Sequence, residues 1–349
     1  MAVPSADPVL LAAWWTGLGA FALTLALALS ILALRVALLR SQRRYQRVVE
    51  VWRPVLAAAI AGDAPGELPV LTAKRMRPFL KLWIHLHASL RGGATEQLNE
   101  LARRLGCDAY ARKLLASGRR GDVLLAILVL GYMRDAAAFG ALERKLHSAS
   151  GVVSINAAWA LMQAAPERAA QAVVDAALAR PDWAQSRVVL ILCDGGPAVA
   201  QALVSRLEGL DTAQLPGALR LAEGIRAVLP VALHRRLLAQ GDEAVLVAAL
   251  RLVNDPALLP ELRLLARHPQ WRVRLHAARA LGRTGAPEDA PLLVSLLADR
   301  EWWVRLRAAE ALAASPYLDM ATIEHMAAQT GDRYAIDMLR QVAAQGVAP

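Results

Sequence analysis

Residues 270–282 read QWRVRLHAARALG, and residues 301–313 read EWWVRLRAAEALA, a near-copy displaced by 31 residues. Trp271 falls on Trp302, Val273 on Val304, Arg274 on Arg305, Ala277 on Ala308, Ala278 on Ala309 and Leu281 on Leu312. Weaker copies emerge when an anchor leucine is sought where Leu281 stands. Leu130, Leu161, Leu192, Leu221, Leu252, Leu281 and Leu312 close apolar, alanine-rich segments at steps of 31, 31, 29, 31, 29 and 31 residues. A fixed period of this size marks a repeat array, in which no unit buries its apolar face alone and each stacks on its neighbours.

Within one unit, Val273, Ala277, Ala280 and Leu281 fall at i, i+4, i+7 and i+8, one face of an α-helix. Alanines on that face let a neighbouring helix come close, while Val and Leu fill the remaining volume. Gly282 and Gly285 with Pro287 predict the end of that helix. Glu288 and Asp289 suit the first turn of the next, whose apolar run is 291–298. Helix, turn and helix in about thirty residues is an α-solenoid unit, so the fold class predicted is all-α. With its W-x-V-R-x-x-A-A-x-A-L-G pattern, the chain resembles HEAT-repeat proteins, especially the short phycobilin-lyase HEAT-like repeats. The resemblance is specific at Trp271 and Trp302, only periodic elsewhere, and spans 94–314 without touching residues 1–60. It implies an architecture and leaves function open.

Composition agrees. Apolar residues make up 56% of the chain and aromatics only 5%, so alanine and leucine dominate, as close helix packing requires. At 349 residues the chain could hold two or three ordinary domains, or one elongated solenoid. Cys107 and Cys193 lie far apart with no CxxC and read as small core residues in a reducing compartment.

Residues 9–34 carry no charge over 26 consecutive positions. As a helix at ~1.5 Å per residue they reach about 39 Å, enough to cross a hydrocarbon core of roughly 30 Å. The competing reading, a cleaved signal peptide, fits poorly because no Lys or Arg precedes the run and it exceeds an h-region. Before the span stands only Asp7; after it come Arg35, Arg40, Arg43, Arg44 and Arg47. Positive flanks stay cytoplasmic, so the amino terminus is expected outside and the repeats in the cytosol, across a bacterial inner membrane. Trp14 and Trp15 suit the outer interface.

The predicted organisation is 1–40 for the outer terminus and span, 41–93 for basic juxtamembrane helices and a hinge, 94–314 for the array and 315–349 for a helical cap. Pro54 is expected to kink or interrupt the helix after Arg40, and residues 62–69 supply the hinge. Phe79, Trp83, Leu86 and Leu90 keep helical spacing up to Gly92 and Gly93. Thr95 is read as the cap of a helix carrying Leu98, Leu101 and Leu105, closed by Gly106.

The net charge of +10 is unevenly spread. Residues 35–120 hold 17 Lys and Arg against 6 Asp and Glu, whereas residues 121–349 hold 23 of each. A solenoid gripping nucleic acid would carry its excess on the repeats, so nucleic acid is not the expected partner. The excess lies beside the span, where anionic lipid headgroups attract bases. Arg40, Arg43, Arg44 and Arg47 are therefore the expected membrane-surface contacts, against the alternative of a solvated face that only fixes topology.

Catalytic patterns are missing: there is no GxxxxGK[ST], HExxH or GxSxG, and no Cys/His cluster. His85 and His87 are two apart, pointing about 200° from one another on a helix, and cannot chelate one ion. No histidine is followed by glutamate, which sets aside the di-iron hydroxylase branch of HEAT-like enzymes. No enzyme activity, cofactor or metal is expected. A lyase-like enzyme or tetrapyrrole binder and a nucleic-acid-binding solenoid stand as the alternatives.

Arg274 and Arg305, with Glu288, Asp289, Asp299 and Glu301 near in sequence, are expected to tie one unit to the next. Trp271 and Trp302 occupy equivalent places and are read as structural plugs between units. Trp303, an added neighbour without a copy, is the candidate contact with a protein partner. The expected function is a membrane-anchored scaffold holding a protein partner of unknown identity. With four Lys against 36 Arg, the composition points to a high-GC bacterium, where such proteins often accompany envelope or polysaccharide machinery.

Overall fold

The structure, a computed structural model, describes residues 8–63, 66–90, 92–315, 317–329 and 331–344. Asp7 of the orientation argument and Ala64 and Pro65 of the hinge lie outside the described residues. Every regular element among the described residues is helical, and the chain divides into two compact units, Met1–Ala138 and Phe139–Pro349.

The first unit holds α1 (Pro8–Ala61), α2 (Ala73–Ala88), α3 (Gly93–Arg104), α4 (Cys107–Leu115) and α5 (Arg120–Tyr132). At 54 residues, α1 is about 81 Å long and runs through Pro54 without a break in its helical assignment. Its two halves differ in surroundings. From Trp14 to Arg47 the side chains described are exposed, apart from half-buried Val36. Beyond them Val48, Trp52, Leu56 and Ala59 repeat at i, i+4, i+8 and i+11 and are buried against α2 and α3. Trp52 meets Phe79 edge to face at 4.8 Å between centroids. The interruption expected at Pro54 is not realised: the helical assignment continues through it, in the part of α1 that packs against α2 and α3.

A polar seam crosses the core of the same unit. Trp83 Nε1 donates to the Leu98 carbonyl at 3.1 Å, His87 Nε2 bonds Asn99 Oδ1 at 3.2 Å, and Asn99 Nδ2 donates to the Tyr132 carbonyl at 3.1 Å. Burial lowers the His87 pKa, in line with a neutral ring. Thr95 is not a cap: α3 begins two residues earlier, at Gly93, and Thr95 Oγ1 donates back to the Gly92 carbonyl. Gly92, at φ +73°, supplies the left-handed turn that starts the helix.

The second unit begins with α6 (Phe139–Leu146), α7 (Gly151–Ala164), α8 (Pro166–Ala179), α9 (Gln185–Cys193) and α10 (Gly196–Leu207). It continues through α11 (Leu215–Gly224), α12 (Val231–Leu238), α13 (Glu243–Leu252), α14 (Leu259–Leu265) and α15 (Trp271–Thr284). Helices α16 (Ala290–Leu297), α17 (Trp302–Ala313), α18 (Met320–Ala328) and α19 (Arg333–Ala344) complete it. Helix α7 packs on α9, α9 on α11, and so on in twos up to α17 on α19, while α8 packs on α10 and α16 on α18. Two layers of stacked helices result, the arrangement of an α-solenoid.

The anchor leucines fall on every second helix: Leu130 on α5, Leu161 on α7, Leu192 on α9, Leu221 on α11, Leu252 on α13, Leu281 on α15 and Leu312 on α17. All are buried except half-buried Leu252. Gly282 does not end α15, which runs two residues further to Thr284. A Cβ at Gly282 would lie 2.6 Å from Ala311 Cβ and 2.9 Å from Ala311 Cα. The glycine therefore lets α15 and α17 touch backbone to side chain, and the stop falls instead to Gly285, the residue after the last helical one.

Candidate interaction surfaces

In the first unit, the exposed half of α1 carries the most apolar stretch of the chain. Its mean hydropathy reaches 2.3 over 18 residues and none of that stretch is buried, so this helix is long and apolar enough to cross a membrane. The apolar side chains Phe21, Leu23, Ile31, Leu32 and Leu34 each expose more than half their surface, a state that water penalises and lipid does not. Arg40, Arg43, Arg44 and Arg47 follow on the same helix, all exposed.

In the second unit the signature residues separate into a tie and a surface. Arg274 is 6% exposed. Its Nε and one terminal nitrogen donate to the two carboxylate oxygens of Asp299 at 2.7 and 2.8 Å. Its other terminal nitrogen donates to the carbonyls of His268 and Pro269, both at 2.9 Å. Asp299 further accepts the Glu301 amide at 2.9 Å and so fixes the turn before α17. Burial pushes the Asp299 carboxyl up, but the Arg274 guanidinium, the Glu301 amide and the nearby Arg300 together outweigh it and leave the group below the ordinary carboxylate range. A bidentate pair whose remaining donors are also satisfied can be stable when buried.

Arg305, at the equivalent place on α17, reaches Asp332 only at 3.8 Å, and its Nε is buried with no hydrogen-bond partner among the described residues. The two tryptophans aligned by sequence also diverge. Trp271 is half-buried against the core, with the Arg272 guanidinium 5.0 Å from its ring centroid. Trp302 is 44% exposed and Trp303 51%, their rings edge to face at 4.7 Å. Trp303 takes the ring of Trp302, so the plug expected at Trp302 becomes half of an exposed indole pair.

Ties one repeat length apart recur along this unit. Arg187 donates to Asn156 and Gln163 to Asp194 across 31 residues each, both at 2.7 Å. Arg206 meets Asp175 at 2.8 Å, Arg251 meets Glu223 at 2.9 Å, and Arg272 meets Glu243 at 3.3 Å. None of these pairs was singled out from sequence, although the 31-residue period was itself the signal. Pairing each polar residue with the one a period away would have found Arg187 and Gln163.

No group of three or more His, Cys, Asp or Glu able to hold a metal ion occurs among the described residues. His85 is exposed and His87 buried, on opposite sides of α2. Cys107 is buried with its thiol pushed up to about 12, chiefly by desolvation, whereas Cys193 is exposed.

The sequence of residues 233–313 matches the family model for HEAT repeats. It covers α12 to α17, including both copies of the tryptophan–arginine signature. No curated protein matches the chain. Among solved structures, an engineered protein is similar over 83% of this chain and 88% of its own, at 19% identity and a TM-score of 0.36. The complex of CpcE and CpcF of phycocyanin lyase from Nostoc sp. PCC7120 is similar over 67% of this chain and 94% of the matched chain, at 18% identity and a TM-score of 0.30. Both TM-scores are low, and the assignment of HEAT repeats rests on the sequence match.

Proposed function

We propose that this chain is a non-catalytic scaffold, held in a membrane by the first half of α1 and offering its HEAT repeats to a protein partner. The observation that carries the reading is the contrast within α1. One half buries an apolar face at helical spacing, and the other leaves a longer and more apolar surface exposed on every side. Hydrocarbon removes the penalty that water would impose there. Arg40, Arg43, Arg44 and Arg47 then stand at headgroup level on the cytoplasmic side, attracted to anionic lipid. Neither a cofactor nor a metal enters this reading. HEAT repeats generally work through protein contacts, and the exposed Trp302–Trp303 pair supplies the aromatic anchor such contacts favour.

Cross-linking in cells followed by detergent extraction tests it. Full-length protein is expected to retain a stoichiometric partner that is lost when Trp302 and Trp303 are both changed to Ala. Recovery of no partner from intact cells would contradict the scaffold. A carboxy-terminal reporter active only outside the cytosol would reverse the orientation.

A further inference from the structure

Across residues 121–349 the charges balance, yet one ridge is strongly basic. On α15, His276, Arg279 and Arg283 stand at i, i+3 and i+7 and so share a face. The 31-residue offset that aligns α15 with α17 sets Arg307 beside His276 on the neighbouring helix. From the other side α13 brings Arg251, and Arg283 donates to the Leu250 and Val253 carbonyls at 3.1 Å, fixing it against the end of that helix. The consequence shows on His276. Its pKa is pushed down to about 4, first by burial and then by Arg251, Arg279, Arg283 and Arg307. Its Nδ1 is buried without a hydrogen-bond partner among the described residues, so the ring is a neutral spacer among four guanidiniums.

Two carboxylates answer these four cations. Glu223 pairs with Arg251 at 2.9 Å and Glu310 with Arg307, the second pair half-buried, and neither is fully enclosed. Arg279 is exposed and forms no ion pair among the described residues. Like charges gathered this closely disfavour one another, and the ridge is stabilised by whatever anion lies along it.

We propose that the ridge formed by Arg251, Arg279, Arg283 and Arg307 binds an extended acidic segment of a protein partner. The proposal rests on the scaffold reading and names the chemistry of the occupant. Length decides between this occupant and a single small anion. Packed helices lie roughly 8–10 Å apart, so a ridge over α13, α15 and α17 spans about 20 Å. An extended chain rising ~3.3 Å per residue covers that distance with about six residues, whereas a single phosphate is far shorter than the ridge.

The test is fluorescence anisotropy of labelled hexaglutamate with detergent-solubilised full-length protein at low salt. Saturable binding is expected, weakened at least about tenfold in the Arg279→Ala/Arg307→Ala variant and steeply reduced by salt. Both side chains are outside the core, and circular dichroism verifies that the variant is folded. Two control variants, Arg267→Ala in the turn after α14 and Arg43→Ala/Arg44→Ala on α1, are expected to bind as the parent does. Equal binding by the ridge variant, loss of binding in the α1 variant alone, or displacement by equimolar inorganic phosphate would each overturn the proposal. A cellular partner captured equally by parent and ridge variant would overturn the ridge while leaving the scaffold standing. Peptide binding in the absence of any cellular partner would support the ridge and overturn the scaffold.

Discussion

Arg274 and Arg305 occupy one place in the repeat and do different work. Asp299 lies 25 residues beyond Arg274, but the carboxylate available to Arg305 is Asp332, 27 residues on, and the resulting pair is stretched to 3.8 Å. Arg274→Ala leaves Asp299 as an unpaired buried carboxylate and is expected to cost about 3–5 kcal/mol of unfolding free energy. Arg305→Ala is expected to cost about 1 kcal/mol or less. Urea denaturation of the two variants checks the contrast, and similar midpoints would contradict it. The sequence set both arginines at one place in the repeat and named Asp299 among the nearby carboxylates but not Asp332, because a two-residue shift in a loop is invisible to a period. Among the histidines, His276 is held neutral, with its pKa far below the ordinary 6.5. On acidification the unfolded chain takes up this proton first, so stability falls as pH drops from about 6.5 toward about 4. Replacing His276 by Gln is expected to flatten that part of the stability profile; an unchanged slope in the variant would contradict the burial argument.

At the scale of helices, glycine and tryptophan carry the structure. Gly282 admits Ala311 so closely that a methyl group cannot be added without moving a backbone. Gly282→Ala is expected to cost about 1–3 kcal/mol through overpacking, and a variant as stable as the parent would show that α15 and α17 can part freely. From sequence this glycine looked like a stop signal, because a glycine after an apolar run has that meaning more often than it marks contact with a neighbouring helix. The docked half of α1 makes a second case. Trp52 is 1% exposed in the first unit, so Trp52→Ala is expected to destabilise by about 3–5 kcal/mol. Trp14→Ala, on the exposed half, is expected to leave thermal unfolding unchanged. The spacing of Val48, Trp52, Leu56 and Ala59 was open to inspection, but the arginines just before them, Arg40 to Arg47, dominated the reading of that stretch.

For the molecule as a whole, the repeat period and the uncharged run were the most legible features. The helices that carry the anchor leucines alternate as a solenoid requires, and residues 233–313 match HEAT repeats. Less legible was the surface, because the period fixes which residues face inward and is silent on which outward charges gather. The basic ridge of α13, α15 and α17 vanishes in a regional charge count that comes to zero. The division of the chain after Ala138 likewise had no counterpart in composition. The central claim is that the exposed half of α1 lives in lipid, and alkaline extraction of cell membranes tests it most directly. Full-length protein should stay with the membrane pellet, and a chain lacking residues 9–34 should move to the supernatant as a folded species. Release of the full-length chain by carbonate would contradict the account.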